Sequence, residues 1–276
     1  MGSGFLGHRT LPPLHTSRGA TLDRVLLVLA LAPPGAVWAA PARTRPVGSP
    51  PLSDRAAAAR VDRSAWEPRP GNRAENRRIP PRRELRFFRR HSDMTYKRRV
   101  SGRFRGTTDE IIQWAAHKHG IAEDVVRAVA VEESWWRMST VGDAGDSFGL
   151  MQIRRPYHCC PFLARGSTAF NVDYWGAIIR SYFDGRETWL NTVERGEDYR
   201  AGDLWGSVGA WFSGRWRTGP SLDYVRDVRR IRRERTWRRR LFAENQSQRS
   251  VRTPRASATV RSTISAAGSS RASGAP

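Results

Sequence analysis

Lysine and cysteine are both scarce in this sequence of 276 residues. All but two of its 48 basic residues are arginines, and the exceptions are Lys97 and Lys118. The only cysteines, Cys159 and Cys160, are neighbours, which excludes an ordinary disulfide framework. Zinc sites usually draw ligands from two spaced pairs, and no second pair exists, so we expect neither a metal nor another cofactor. Two thiols and a disulfide between the neighbours both remain open.

Long apolar runs are also absent. A membrane span needs about 20 consecutive apolar residues, and no run in this sequence is that long. The longest candidate, Val25 to Ala32, follows Arg24 and precedes a Pro-Pro-Gly breaker and small residues near position 40. These parts are typical of a secretory signal peptide, so we expect residues 1–42 to be removed and the protein to reach the bacterial cell envelope or the medium. An extension from a misplaced start codon is the alternative.

Acidic residues are too few to balance the charge. The formal net charge is +22 and the isoelectric point is near 11.5, which implies an anionic partner such as nucleic acid, an anionic membrane or an anionic cell-wall polymer. Two basic stretches lack the apolar residues of a core. We therefore expect residues 43–106 to be an Arg/Pro-rich disordered linker and residues 244–276 to be a disordered Ser/Ala/Arg-rich tail.

Strictly alternating strand patterns are missing as well, whereas helical patterns fill residues 107–243. Thr107 and Glu110 form a capping-box pattern, and Gly120 ends the helix that they begin. A second helix is predicted over about Ala122 to Ser134, with others near residues 169–183 and 221–237. The sequence thus predicts a single, mainly α, catalytic domain with disordered basic flanks. His117 and His119 are interpreted as surface residues.

The second helix ends in two adjacent carboxylates. Val125, Val126 and Val129 define its apolar stripe, and at 100° per residue Glu133 lies closer to the stripe than Glu132. A carboxyl with little water around it prefers its neutral form, so its pKa rises and it can serve as a general acid. The alternative is a structural carboxylate paired with one of the many arginines.

The Glu133-Ser134 pair, followed by a glycine-rich loop and the run FGLMQI, resembles the motif of the soluble lytic transglycosylases and goose-type lysozymes. The resemblance covers about Thr107 to Trp237. It implies an α+β lysozyme-like fold with at most a small sheet, peptidoglycan glycan strands as substrate, and Glu133 as the catalytic acid. The substrate-binding residues that it suggests, together with our reading of the side chains, are Ser134, Phe148, Gly149, Met151, Gln152 and Trp211.

Five further positions bear on this resemblance. Asn171 matches an asparagine at a family helix start, and Trp135 and Trp136 are candidates for stacking on sugar faces. Trp211 stands where the family usually has a tyrosine, and Phe212 stands where it has an asparagine. Position 211 therefore lacks the tyrosine hydroxyl that could help Glu133 in the family. The indole N–H of Trp211 can donate a hydrogen bond but cannot accept one.

The resemblance leaves two reactions open. A lytic transglycosylase uses one glutamate and forms an anhydromuramyl end, whereas a muramidase needs a second carboxylate to manage water. Asp143 matches an aspartate of the goose-type lysozymes, but Arg154 replaces the next one, which favours the transglycosylase, a polysaccharide lyase.

A secreted basic nucleic-acid-binding protein is the alternative from another class, although charge without a recognised module is a weak indication of it. In the enzyme interpretation the basic flanks bind anionic cell-wall polymers. Removing them is then expected to spare the cleavage of soluble fragments.

Overall fold

Ten α-helices and one small sheet form the part of the chain that the computed structural model describes, residues 45–244. The predicted signal peptide, residues 1–42, and all but the first residue of the predicted tail lie outside this range. None of the helices within it is long and apolar enough to cross a membrane. The helices are α1 (Asp54–Ala58), α2 (Arg73–Arg77), α3 (Arg82–His91), α4 (Thr108–His119), α5 (Glu123–Ser134), α6 (Pro161–Gly166), α7 (Thr168–Phe183), α8 (Leu204–Ser213), α9 (Gly219–Glu234) and α10 (Arg240–Glu244).

The helix boundaries that capping residues predict are confirmed for α4. Thr107 accepts a hydrogen bond from the backbone of Glu110, whose side chain accepts one from the backbone of Thr107. Gly120 ends the helix with φ +66°, and a Cβ at this position would lie 2.3 Å from the carbonyl oxygen of Ser49. Only glycine therefore combines this left-handed turn with such close packing.

Helix α7 is the centre of the core, because every one of its residues except the last is buried. Helices α4 and α8 pack against it, and α9 packs against both α5 and α8. The α7 sequence is apolar on nearly all sides, as expected of a helix that others surround. Mainly α architecture is thus confirmed.

The sheet is a small antiparallel unit that follows α5. Its strands are β1 (Val141–Gly142), β2 (Ser147–Phe148) and β3 (Ile153–Arg154), in the order β1-β2-β3. Phe148 pairs with Val141 on one side and with Ile153 on the other. Strands this short add little to the core, so their main effect is to fix the loop that leads back towards α5.

The prediction of a disordered linker over residues 43–106 is wrong for residues 45–106, which carry α1, α2 and α3. Their backbone is tied to α7, because Asp173 accepts hydrogen bonds from the amides of Ser101 (2.8 Å) and Gly102 (3.0 Å). A few apolar side chains point inward while most of the arginines face solvent, so the average composition of the segment does not reveal the buried residues. The folded unit consequently starts well before Thr107. Its buried apolar residues in this segment are Ala57, Leu85, Phe88, Met94, Val100 and Phe104.

The histidines of α4 are not surface residues, and that prediction is also wrong. His117 is 2% exposed and His119 is fully buried. His119 Nε2 lies 2.7 Å from one oxygen of Asp173, and Lys118 Nζ lies 2.7 Å from the other. Helices α1, α5 and α7 cover α4, and the buried Asp173 carboxylate binds both Lys118 and His119 Nε2, so these polar side chains are accommodated inside the protein.

Candidate active site

Glu133 lies one residue from the end of α5 and faces side chains of α8 and α9. Its Oε1 accepts a hydrogen bond from Trp211 Nε1 at 3.0 Å and another from the Tyr224 hydroxyl at 2.5 Å. Within residues 45–244, Oε2 of Glu133 forms no hydrogen bond. It is also not buried, since it is absent from the buried polar atoms without a partner. One oxygen is therefore held by donors while the other faces accessible space.

Burial raises the pKa of Glu133 from its ordinary value of 4.5 to about 7. The hydrogen bonds from Tyr224 and Trp211 favour the ionised form and oppose this rise, whereas the charges of Glu132 and Asp143 add to it. Glu132 is exposed whereas Glu133 is half-buried, which confirms that Glu133 lies closer to the apolar stripe of α5 than Glu132 does. A carboxyl with a pKa near 7 can both donate and accept a proton at neutral pH.

Tyr224 was missed from the sequence, although a signal was present. It lies on the buried face of α9 with Val228 and Ile231, four and seven residues further on. A tyrosine in such an apolar stripe needs a hydrogen-bond partner for its hydroxyl. Phe212 stacks on its ring at 4.6 Å between centroids and so helps to orient it.

The turn after Glu133 has an unusual backbone. Trp135 and Trp136 both take left-handed conformations, with φ of 54° and 61°. Arg69 Nε donates to the Trp135 carbonyl at 2.6 Å, and Asn72 Nδ2 donates to the Trp136 carbonyl at 2.7 Å. Residues from the supposed linker thus hold the turn that follows the glutamate, and composition alone gave no signal for this role.

Left-handed conformations cluster around this turn and the following loop. Within residues 45–244, eight non-glycine residues have positive φ, and those between positions 133 and 152 are Trp135, Trp136, Asp143, Ala144 and Gln152. Such conformations cost free energy and are common where a backbone is shaped for binding or catalysis. The cluster marks the surroundings of Glu133 as the most strained part of the described chain.

Ser134 and Gly149 join α5 to the loop rather than reaching outward. Ser134 Oγ donates to the carbonyl oxygen of Leu150 at 2.8 Å, and its side chain is buried. Asn171 on α7 donates to the Phe148 carbonyl at 3.0 Å and accepts from the Met151 amide at 2.8 Å. Gly149, at φ +75°, leaves room for this amide, since a Cβ there would lie 2.5 Å from Asn171 Nδ2. These residues position the loop.

The prediction that the side chains of Phe148 and Met151 bind substrate is wrong for the structure described. Phe148 is 3% exposed and Met151 is fully buried, so both belong to the core beneath the loop. Gln152 is half-buried, and its amide nitrogen donates to the carbonyls of Gly149 (2.8 Å) and Thr140 (3.2 Å). Its donors are therefore occupied by the loop itself. The burial of these apolar loop residues depends on the neighbouring helices, so the loop sequence alone does not reveal it.

The tryptophans divide between core and surface. Trp136 is fully buried, so it cannot stack on a sugar in this conformation. Trp135 is half-buried and stacks on Phe242, with 5.8 Å between the ring centroids. Trp211 is half-buried and donates a hydrogen bond to Glu133, whereas its binding of substrate stays a prediction.

Asp143 is an exposed carboxylate whose charge is close enough to affect Glu133. Its Oδ2 accepts a hydrogen bond from Ser147 Oγ at 2.5 Å and lies 3.6 Å from Arg154 Nε. Arg154 is therefore the ion-pair partner of Asp143. Oδ2 of Asp143 is consequently engaged by two protein groups.

His158 stacks on Trp211, with 5.4 Å between ring centroids and 14° between the planes. Burial lowers the pKa of His158 to about 4, so the ring is neutral at pH 7. The next two residues, Cys159 and Cys160, form a disulfide, which decides the alternative that the sequence left open. In residues 45–244, no three histidine, cysteine or carboxylate side chains come together in a group that could hold a metal ion.

Comparisons of the chain with models of protein families, with characterised proteins and with solved structures find no match. The function therefore has to be argued from Glu133 and its surroundings.

Proposed function

We propose that this protein is a secreted peptidoglycan lytic transglycosylase that uses Glu133 as its single acid and base. The observation that carries the proposal is the carboxyl of Glu133, whose pKa burial raises to about 7 while Trp211 and Tyr224 donate to its Oε1. The Glu-Ser pair and the FGLMQI loop resemble the motif of this enzyme class. From this resemblance we infer the bond that is cleaved, which joins N-acetylmuramic acid to N-acetylglucosamine.

The first step is proton donation to the glycosidic oxygen. Because Oε1 already accepts two hydrogen bonds, the acidic proton of Glu133 resides on Oε2, the oxygen that faces accessible space. As the C1–O bond of the muramyl sugar breaks, this proton moves to the leaving oxygen of the next sugar. Glu133 is then a carboxylate.

The second step needs no water. The C6 hydroxyl of the muramyl sugar attacks its own C1, and Oε2 of Glu133 takes the hydroxyl proton. One C–O bond breaks, another forms, and Glu133 regains the proton that it gave. Trp211 and Tyr224 stabilise the carboxylate between the two steps because their hydrogen bonds strengthen when the acceptor is charged.

The muramidase alternative requires a second carboxylate that manages water. Asp143 is the candidate, but it is 50% exposed and bound to Ser147 and Arg154. Both contacts are to Oδ2, so this oxygen is already engaged by protein groups and is not free to orient a water molecule. The pairing therefore favours the reaction in which the substrate supplies its own nucleophile.

The test compares Glu133→Gln with Glu132→Gln on purified peptidoglycan. Both variants remove one carboxyl from adjacent positions of α5 and keep the side-chain shape. We expect the first to lose at least roughly a hundredfold in rate, since general acid catalysis contributes about 10²–10⁴, and the second to keep the parent's rate. Mass spectrometry of the products should detect anhydromuramyl ends.

Two results would contradict the proposal in different ways. Reducing muramyl ends would identify a muramidase that still depends on Glu133. A Glu133→Gln variant that digests peptidoglycan at the parent's rate would remove Glu133 from the reaction altogether.

A further inference from the structure

A pocket of about 250 Å³ lies between α8 and α9, on a different face of α9 from the one that reaches Glu133. Tyr224, Val228 and Ile231 form the buried face of that helix. The pocket instead lies beside the start of α8, and its α9 lining combines the buried Ser221 and Val225 with exposed residues of that helix. Its lining is dominated by Trp205, Arg217, Arg226, Arg229 and Arg233.

Three of the four arginines share one stripe of α9. Arg226, Arg229 and Arg233 are separated by three and four residues, a spacing that brings helical side chains next to each other. Like charges at this spacing repel and weaken a helix. Helix stability therefore gives no reason for this stripe, whereas a bound anion would.

Two of these guanidinium groups have no carboxylate partner. Arg217 pairs with Glu197 at 2.9 Å, and Arg226 pairs with Asp223 at 2.8 Å. Arg229 and Arg233 form no ion pair or hydrogen bond in residues 45–244. They thus offer the pocket charge and N–H donors that no protein group uses.

Trp205 gives the pocket its rigidity. The guanidinium carbon of Arg229 lies 4.5 Å from the Trp205 ring centroid, and that of Arg232 lies 5.9 Å away. Stacking on an indole restrains the planar guanidinium, so less conformational freedom remains to be lost when an anion binds. Leu222 and Val225 complete the lining with apolar surface.

We propose that this pocket binds a phosphate group through Arg229 and Arg233. Planar guanidinium groups donate pairs of parallel hydrogen bonds to tetrahedral oxyanions, and two of them can neutralise a doubly charged phosphate. The phosphate belongs either to a free anion or to a phosphodiester polymer. The site acts separately from the reaction at Glu133, so it would hold the protein on a phosphate-bearing surface even if the proposed activity were wrong.

The test is a calorimetric titration of the whole protein with inorganic phosphate, pyrophosphate and soluble poly(glycerol phosphate), at constant ionic strength. The pocket variant combines Arg229→Gln with Arg233→Gln. The control combines Arg230→Gln with Arg239→Gln, which removes the same charge from arginines paired with Glu234 at 3.9 Å and 3.3 Å. All four side chains are exposed, so both variants are expected to fold.

We expect pyrophosphate affinity to fall about tenfold or more in the pocket variant, the loss typical of one charge-assisted hydrogen-bonding group. The control should stay within about twofold. Tighter binding of the polymer than of free phosphate would assign the site to phosphodiesters, and the reverse would assign it to free anions. Equal losses in both variants, no binding by the parent, or equal affinity for citrate would overturn the proposal.

Discussion

The Tyr224 hydroxyl donates a hydrogen bond to Glu133 Oε1 across 2.5 Å, which joins α9 to the end of α5. Burial and the neighbouring carboxylate raise the pKa of Tyr224 well above its usual value. The hydroxyl consequently stays protonated over the whole working range of pH. It acts as a donor that lowers the pKa of Glu133, against the larger effect of burial.

Tyr224→Phe should therefore raise the pKa of Glu133 above about 7. The alkaline limb of the pH–rate profile should move up by roughly half to one unit, and the maximal rate should fall severalfold because the carboxylate loses a stabilising donor. Tyr157→Phe, which removes a hydroxyl from a 67% exposed ring, is the control and should leave the profile unchanged. A downward shift of the alkaline limb in the first variant would contradict this role.

Glu133 should also destabilise the fold at alkaline pH. Its folded pKa of about 7 exceeds the ordinary 4.5, so the folded protein holds the proton more tightly than the unfolded chain does. Stability therefore falls as pH rises from about 4.5 to about 7, and the penalty is complete above that range. We expect Glu133→Gln to raise the free energy of unfolding by about 3 kcal/mol at pH 8 and to change it little at pH 4.

Urea denaturation at both pH values measures this difference. Since all other titrating groups are shared by parent and variant, the change between the two pH values isolates residue 133. An equal effect of the substitution at pH 4 and pH 8 would show that the carboxyl is not perturbed by burial.

Asp143→Asn tests whether a second carboxylate takes part. Asp143 is bound to Ser147 and Arg154, so we expect the variant to retain activity within about threefold and to yield the same anhydromuramyl products. Its lost charge slightly lowers the pKa of Glu133, which should move the alkaline limb down rather than up. A loss of hundredfold or more, as expected for a missing general base, would instead favour the muramidase.

Asp173 is the buried anchor of the N-terminal segment. Burial alone would raise its pKa, but Lys118 and His119 outweigh burial and hold the pKa well below its usual range. Its stabilising effect is present above the unfolded pKa and is lost as pH falls through the lower folded value. Asp173→Asn should cost roughly 3–5 kcal/mol near neutral pH, because it removes the charge that Lys118 and His119 contact in the core and leaves the buried lysine with Asp54 as its remaining carboxylate, at 2.7 Å.

Thermal unfolding compared with Asp198→Asn provides the measurement. Asp198 pairs with Arg195 at 2.9 Å but is 85% exposed, so its loss should cost less than about 1 kcal/mol. Similar costs for both variants would argue against a buried network at Asp173.

Local signals predicted α4, α5, α7 and α9, because helix caps and apolar stripes depend on neighbours in sequence. The capping box at Thr107, the left-handed Gly120 and the apolar stripe before Glu133 all matched the structure. The partners of Glu133 were harder, since Trp211 and Tyr224 are 78 and 91 residues away. Trp211 was reached through a family resemblance, whereas Tyr224 required knowledge of how α9 packs on α5.

The segment before Thr107 was misjudged for a related reason. Arginines and prolines dominate its composition, and composition reports the solvent-facing side chains more than the few that are buried. Phe88, for instance, packs edge-on against Phe170 of α7 at 5.2 Å between centroids. The burial of such isolated apolar residues depends on tertiary contacts. These residues follow no periodic pattern in the sequence that would predict it.

This packing changes the expected result of truncation. A chain that begins at Thr107 loses the Ser101 and Gly102 amides that bind Asp173, and also Arg69 and Asn72, which hold the turn after Glu133. We expect it to lose cooperative unfolding and to cleave neither whole peptidoglycan nor soluble fragments. A chain that begins at Arg45 keeps these contacts and should retain cleavage of soluble fragments.

Asn72→Ala separates the turn from the rest of the segment. Asn72 donates to the Trp136 carbonyl and accepts from the Met138 amide at 2.9 Å, so its loss leaves two buried backbone groups unpaired. We expect a cost of about 2–4 kcal/mol in unfolding free energy, together with a lower maximal rate on soluble fragments at temperatures where the variant is folded. Full activity of the chain that begins at Thr107 would contradict both this prediction and the truncation prediction, because residues 45–106 would then be dispensable for activity.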